Sequence, residues 1–191
     1  MISSLSSQDF ADLFHEIKIN HTAGSIDRTY GEILFSGVEK ILKKITITDH
    51  DIFLDLGSGL GKVVLQVFMQ TQVCKSIGIE INPQLHNSAL KIIEKFQTKY
   101  AANSTRELHL ICADFLETEI LAATVILIGS PCYSAKLLAK IEKKIINLEH
   151  LHTIVSLKPL LNLQNFSFKQ VFKVEGSWDD ALCYIYQKRI I

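Results

Sequence analysis

The residues best placed to do chemistry in this chain are an acid and three alternating glycines: Asp55, then Gly57, Gly59 and Gly61, in the run DIFLDLGSGLGKVVLQV from Asp51 to Val67. Ile52, Phe53, Leu54 and Leu56 surround the acid with an apolar run that reads as a buried central strand of a parallel sheet. The glycines let the backbone turn sharply and approach a ligand closely. Val63, Val64, Leu65 and Val67 then resume at helical spacing. Strand, glycine loop and helix in that order form a nucleotide-binding unit. Two further acids extend it. Glu80 closes a second apolar run about 20 residues after the turn, where α/β nucleotide sites place the carboxylate that holds a ribose diol. Asp114 and Phe115 follow a third run, Leu108 to Cys112. An acid there can accept from an adenine amino group while the ring covers the base.

The glycine spacing separates two kinds of ligand. A dinucleotide fingerprint is G-x-G-x-x-G, whose open turn and helix N-terminus receive a pyrophosphate. Here the pattern is G-x-G-x-G, with Asp55 beside it as a fixed negative charge. That charge suits an ammonium and disfavours a phosphate. S-adenosylmethionine (SAM) carries an amino group, a ribose diol and an adenine and no phosphate, so it is the expected cofactor; NAD is the distant alternative.

The elements that must position these residues follow from periodicity. Ser7 to Ile17 reads as a flanking helix with Phe10, Leu13, Phe14 and Ile17 on one face and Ser7 as its cap. Leu34, Val38, Ile41, Leu42 and Ile45 predict a helix from Ile33 to Ile45 with Leu34 in the core. Pro83 opens another helix, buried through Leu85, Ala89, Ile92, Ile93 and Phe96. Thr124 to Ile128, apolar throughout after its first residue, is a central fourth strand ending at Gly129-Ser130-Pro131-Cys132-Tyr133. Ala135 to Ile146 is amphipathic, its lysines Lys136, Lys140, Lys143 and Lys144 forming a solvated face. Thr153 to Leu157 is the fifth strand. Phe166 to Val174 and Ala181 to Lys188 make an antiparallel pair joined by a short turn. The fold class is α/β: a Rossmann-like, doubly wound seven-strand sheet, five strands of parallel type plus a C-terminal antiparallel hairpin, with an N-terminal helical flank. The carboxyl ends of its parallel strands carry the cofactor floor, and the fourth should present the acceptor.

Composition bounds the remaining possibilities. The 191 residues, 48% hydrophobic, suit one domain with a full core. Lys+Arg and Asp+Glu are 20 each, so the chain as a whole has no electrostatic footprint for nucleic acid or membrane. Cys74, Cys112, Cys132 and Cys183 are scattered without a C-x-x-C, which points to neither a disulfide framework nor a metal site. The first ten residues lack the basic start and apolar core of a secretory signal. The default expectation is a cytoplasmic protein, with export into another cell left open.

Taken together, the motifs resemble the class I SAM-dependent methyltransferases, and within them the disruptor-of-telomeric-silencing family of non-SET histone-lysine methyltransferases. The match runs in order through Thr-Tyr-Gly-Glu at 29 to 32, Asp-Leu-Gly-Ser-Gly-x-Gly at 55 to 61, Glu80, Asp114-Phe115 and Val-Ser-x-Lys-Pro at 155 to 159. The resemblance implies that residues 1–45 are a helical flank and SAM-covering loop and 46–191 the methyltransferase core. It implies that Tyr30 and Glu32 close over the methionine end of SAM, Asp55 with Gly57, Gly59 and Gly61 takes the amino-acid moiety, Glu80 the ribose, and Asp114 with Phe115 the adenine. Trp178 and Tyr184 correspond to an aromatic wall around a target lysine; hairpin core is the alternative for both. The expected partner is a protein substrate presenting a lysine. The chain departs from the family at Gly129-Ser130-Pro131, in place of Asn-Asn-Phe, and at Lys62 and Ile33, where the family has an amide and a small hydroxyl residue. Ser130 to Tyr133 also resembles the Asn/Asp-Pro-Pro-Tyr loop of amino-group methyltransferases. In that register the Ser130 hydroxyl orients the amine and Tyr133 packs on the acceptor cation. Transfer to another acceptor, a small molecule or RNA, and a non-catalytic SAM-binding module remain as alternatives.

Overall fold

Strands as apolar as those at the middle of this chain need cover on both faces, and in the computed structural model they lie side by side under two layers of helix. The structure describes residues 6–15, 31–101 and 104–189. Two helices lead in: α1 (Ser7–Phe14) and α2 (Phe35–Leu42). Then come β1 (Ile52–Leu56), α3 (Lys62–Gln70), β2 (Lys75–Glu80), α4 (Pro83–Phe96), a π-helical turn at Gln97–Ala101, β3 (Glu107–Cys112) and β4 (Val125–Ile128). They are followed by α5 (Ala135–Ile145), β5 (Thr153–Ser156), β6 (Phe166–Glu175) and β7 (Asp180–Lys188). The seven strands lie in the order β3-β2-β1-β4-β5-β7-β6. Pairs β3·β2, β2·β1, β1·β4 and β4·β5 are parallel. β7 runs antiparallel to both β5 and β6.

Alternation along the strands separates two cores. Phe53, Leu127, Val155, Cys183 and Ile185 face α1 to α4, packing with Val38, Val64, Phe68, Ile92 and Phe96. Leu54, Leu56, Ile126, Ile128, Ile154 and Tyr186 face the other way, against Leu138, Ile141 and Ile145 of α5. Chain order reverses between β1, which pairs outward to β2, and β4 on its other side. A crevice outside the strand ends at such a switch point is where open α/β sheets bind ligands.

The first turns differ from expectation. Ser6, not Ser7, caps α1: its hydroxyl accepts from the Asp9 N–H while the Asp9 carboxylate accepts from the Ser6 N–H, a reciprocal capping box. Ile33 is not helical. It forms an isolated bridge with Gly176, and Leu34, at the N-cap of α2, is 43% exposed rather than in the core. Ile17 and Tyr30 lie outside the described residues.

Candidate functional site

β1 ends at Leu56 because the next residues cannot continue a strand. Gly57, Gly59 and Gly61 have φ of 88°, 53° and 73°, the left-handed region that costs a residue with a Cβ about 1–2 kcal/mol. The turn is fastened from within: the N–H groups of Gly57 and Ser58 both donate to Ile79 O, at 2.9 and 3.0 Å, and Gly61 N–H donates to Ser58 O at 2.8 Å. Glu80, buried at the end of β2, grips it from the side. Its Oε2 accepts from Gly59 N–H and its Oε1 from Asn82 N–H, each at 2.8 Å. Asn82 in turn caps α4.

Asp55 lies one residue inside β1, level with Gly78 of β2 and Leu127 of β4. It is 3% exposed. No hydrogen bond to its carboxylate exists among the described residues. Burial, and next the charge of Glu80, push its pKa from 3.8 up to about 7. Nearby, the Ser58 side chain covers Gly78 so closely that a Cβ there would meet Ser58 Oγ at 2.5 Å. Ser58 Oγ is itself buried without a partner. A buried carboxylate and a buried hydroxyl without partners are each costly. An ammonium-bearing ligand answers the cost at Asp55, and the acceptor carboxylates Asp55, Glu80 and Asp114 fit the ammonium, ribose hydroxyls and adenine amine of SAM.

Glu32 reaches the same turn from the N-terminal side. The segment 31–34 is zipped onto the β6–β7 turn: Glu32 N–H donates to Ser177 Oγ, Ser177 N–H to Glu32 O, and Leu34 N–H to Glu175 O. Trp178, 38% exposed, packs against Gly31, where a Cβ would stand 2.5 Å from its Cε3. The carboxylate of Glu32 pairs with Lys62 at 2.5 Å. The hairpin turn, 145 positions downstream, is thus the scaffold that holds Glu32 beside the glycine loop. Sequence reasoning missed this ion pair, although Lys62 standing directly after the third glycine was its signal.

Around the β4 end, the structure differs from the expectation for Tyr133. The ring is 6% exposed, tilted against Phe115 with centroids 5.9 Å apart, and its hydroxyl donates to Leu56 O at 2.9 Å. A buried phenol needs an acceptor, and Leu56 O is released where the glycine turn breaks the strand. Tyr133 is therefore a pillar under the turn and not a ring exposed to an acceptor cation. Ser130 Oγ accepts from Cys132 N–H at 3.3 Å, folding the loop on itself. Lys158, another residue that sequence reasoning left without a role, donates to Tyr133 O at 2.9 Å and ties this loop to the end of β5. Asp114 follows β3 half-buried, its Oδ1 accepting from Leu116 N–H at 2.8 Å. Tyr184 is half-buried on β7 opposite Ser156 of β5 and Val171 of β6, four residues beyond Asp180, or about 13 Å of strand from the hairpin turn. The structure thus gathers Asp55, Glu80, Asp114 and the glycines at adjacent strand ends, adds Glu32 through the hairpin, and sets Tyr184 three strands from β1 but level with the ends of β5 and β4 that lead to Ser130. Among the described residues no group of three His, Cys, Asp or Glu could hold a metal, and no helix is long and apolar enough to cross a membrane.

Comparison with known proteins turns on the same stretch. Residues 14–175 match the family model described as histone methylation protein DOT1. The chain belongs to the DOT1 family. A histone-lysine N-methyltransferase specific for H3 lysine-79 from Caenorhabditis elegans is 30% identical over 166 residues, 82% of this chain and 17% of that protein. Its counterpart from Emericella nidulans is 29% identical over 181 residues, 81% and 35%. The DOT1 chain described here therefore spans a minor part of the length of these relatives. Among solved structures, a candidate RNA methyltransferase from Pyrococcus horikoshii superposes with a TM-score of 0.68 at 12% identity, covering 96% of this chain and 98% of that one. TrmK from M. capricolum, bound to S-adenosyl-homocysteine, gives 0.60 at 16% identity, covering 80% and 67%. At such identities these likenesses speak for the fold, a class I methyltransferase sheet.

Proposed function

We propose that this DOT1-family chain transfers a methyl group from SAM to an amine, the side chain of a protein lysine. The observation that carries the reading is Asp55: a carboxylate enclosed at the switch point, without a donor, beside a glycine turn. It takes the ammonium of the cofactor's amino-acid end. Glu80 keeps lone pairs beyond those used by Gly59 and Asn82 and takes the ribose hydroxyls. Asp114 and Phe115 take the adenine, Glu32 borders the methionine end, and Tyr30 belongs to the same covering segment.

Bound SAM supplies a methyl group already activated on a sulfonium. The protein is left with positioning an amine in line at about 3 Å and excluding water. It must also favour the neutral amine. A lysine with a pKa of about 10.4 is neutral about one time in a thousand at pH 7.4, a cost of roughly 4 kcal/mol. Apolar aromatic walls lower that cost by disfavouring the cation. Trp178 and Tyr184 serve as walls and the Ser130 hydroxyl as an orienting acceptor. The buried position of Tyr133 speaks against its packing on the acceptor cation. The lysine assignment draws on the DOT1 relatives.

Transfer of labelled methyl from SAM to core histones, nucleosomes and nuclease-treated lysate, with Asp55→Ala as the blank, tests the proposal. Label on a histone lysine that is lost in the variant supports it. Label on another lysate protein replaces the substrate, and tight SAM binding without transfer to any pool refutes the lysine assignment.

A further inference from the structure

The loop after β4 and the glycine turn meet through one side chain. Tyr133 Oη donates to Leu56 O at 2.9 Å and lies so close to the next residue that a Cβ on Gly57 would collide with it. The main chain of Tyr133 is held from the other side, its O accepting from the ammonium of Lys158 at 2.9 Å. Lys158 stands two residues past Ser156, whose Oγ accepts from Lys158 N–H at 3.2 Å. Ser156 is level with Tyr184 of β7 and with Ile128, the last residue of β4. Leu157 N–H donates to Ile128 O at 3.1 Å and closes the ends of β4 and β5 together. Strand pairing and hydrogen bonds therefore run without a gap from Tyr184 through Ser156, Lys158 and Tyr133 to the start of the turn. Stability alone does not call for a lysine here. Tyr133 directly precedes Ser134, the N-cap of α5, and a cation at that end of a helix opposes its macrodipole. Half-buried Lys158 also gives up the freedom of a long side chain to reach the carbonyl. A shorter neutral donor would fasten the loop without either cost.

We infer that Lys158 is a positioning residue for methyl transfer: acting through Tyr133, it fixes the spacing between the acceptor side of the site and the turn that seats the methyl donor. The inference rests on the lysine-transfer reading above. Ser130 and Tyr184 belong to the acceptor side and Gly57 to the donor side, and Tyr133, three residues past Ser130, is bonded toward each. In-line attack has a narrow tolerance, and a displacement of about 1 Å costs about 100-fold in rate. One hydrogen bond at each end of Tyr133 thus governs a separation on which turnover depends steeply and on which binding of the cofactor alone does not.

The test sets a binding ratio beside turnover. Two probes are titrated into the wild type, Lys158→Met, Lys158→Arg and Tyr133→Phe: S-adenosyl-homocysteine, and an analogue whose sulfur is replaced by a nitrogen carrying an aminobutyl arm in the acceptor's place. Methyl transfer is followed in the same proteins and in the Lys158→Met/Tyr133→Phe double variant. The wild type should bind the armed analogue about 10-fold more tightly than S-adenosyl-homocysteine, because the arm is held in line with the donor. Lys158→Met and Tyr133→Phe should each lose most of that advantage while keeping S-adenosyl-homocysteine affinity within about threefold, which shows that the fold is intact. Turnover should drop about 10- to 100-fold in each with KM little changed, and Lys158→Arg should recover most of it. The double variant should lose little more than either single one, since both break the same link. Losses that multiply in the double variant, or an armed advantage that Lys158→Met keeps, overturn the inference and leave the lysine reading standing. A wild type that gains nothing from the arm overturns both.

Discussion

Replacing Asp55 with asparagine should make the protein more stable and less able to bind its cofactor, and both effects should depend on pH in a calculable way. The carboxyl ionises at 3.8 in the unfolded chain and at about 7 in the folded one. Between those values the folded state keeps a proton that the unfolded state has lost. Stability therefore falls as pH rises through this window, stays low above about 7, and carries no penalty from this group below 3.8. The displacement amounts to about 4 kcal/mol. Asparagine fills the same space without the charge, so Asp55→Asn should raise the melting temperature by of order 10 °C at pH 8. At pH 4 the gain should shrink toward zero.

Binding runs the other way. An ammonium requires the ionised carboxylate, so SAM affinity should fall about tenfold for each pH unit below about 7. A ligand α-amino group of pKa about 7.7–8.0 loses its charge above that range and imposes a second limb. The affinity profile is a narrow bell. In Asp55→Asn the acid limb should vanish and affinity at pH 7.5 should drop by about 10- to 100-fold. Thermal melts at pH 4, 6 and 8 and titrations from pH 5.5 to 8.5 measure all of this. An equal melting shift at pH 4 and pH 8, or an acid limb that survives in the variant, would refute the reasoning.

Three further outcomes follow from the geometry. Gly57→Ala combines a φ of 88° with a Cβ placed 2.0 Å from Tyr133 Oη, so it should be severely destabilising; adding Tyr133→Phe removes the oxygen, and the double variant should be more stable than the summed effects by more than about 1 kcal/mol in urea unfolding. Trp178→Ala should weaken SAM binding as well as turnover, because Trp178 supports the segment carrying Glu32, whereas Tyr184→Ala should lower turnover and leave SAM affinity within about twofold, a split read by titration beside methyl-transfer kinetics. At the opposite end of β1, burial works to raise the pKa of Asp51, but hydrogen bonds from Thr48 N–H, His152, Thr124 and the Thr48 hydroxyl override it and hold the value at about 2; this stability is present above 3.8 and is lost as pH falls through about 2, so Asp51→Asn should cost about 2 kcal/mol at pH 7 and almost nothing at pH 2, as measured by urea titration.

The parallel sheet and the glycine turn could be read from the chain because burial on both faces leaves a local mark. Phe53, Leu54, Ile126 and Leu127 lie in short apolar runs bounded by turn residues, which reads as buried strand. The elements misread were those decided by distant partners. Ile33 and Leu34 carry helical spacing, yet the free edge at Gly176 takes Ile33 into a bridge before α2 can start. Tyr133 sits in a loop that resembles an acceptor surface, and only the three-dimensional position of Leu56 O, 77 residues back, turns it inward. Within the lysine-rich stretch of α5, Lys144 is half-buried and donates to Leu116 O, and Glu142 is buried, its carboxylate accepting from the N–H groups of Leu161 and Asn162 and from the Asn162 side chain. None of these pairings has a short-range signature. The site was legible where it depended on the turn, and illegible where it depended on the hairpin returning to residues 31–34.

The turn also decides between ligand classes on grounds the glycine spacing only suggested. A pyrophosphate is held by backbone N–H groups that point outward from a glycine loop. Here the N–H groups of Gly57 and Ser58 go to Ile79 O, that of Gly61 to Ser58 O, and that of Gly59 to the Glu80 carboxylate. A phosphate approaching this loop would meet donors already in use and the charges of Asp55 and Glu80 behind them. Glu80 and Asp55 are both buried, so salt screens them little, and Asp55 adds its charge as pH rises through about 7. The arrangement repels an anion and attracts a cation, as the methionyl ammonium of SAM requires. Millimolar NADH should therefore leave a SAM titration unchanged. Competition between the two would mean that the turn re-forms with its N–H groups turned outward, and that Glu80 has let go of Gly59.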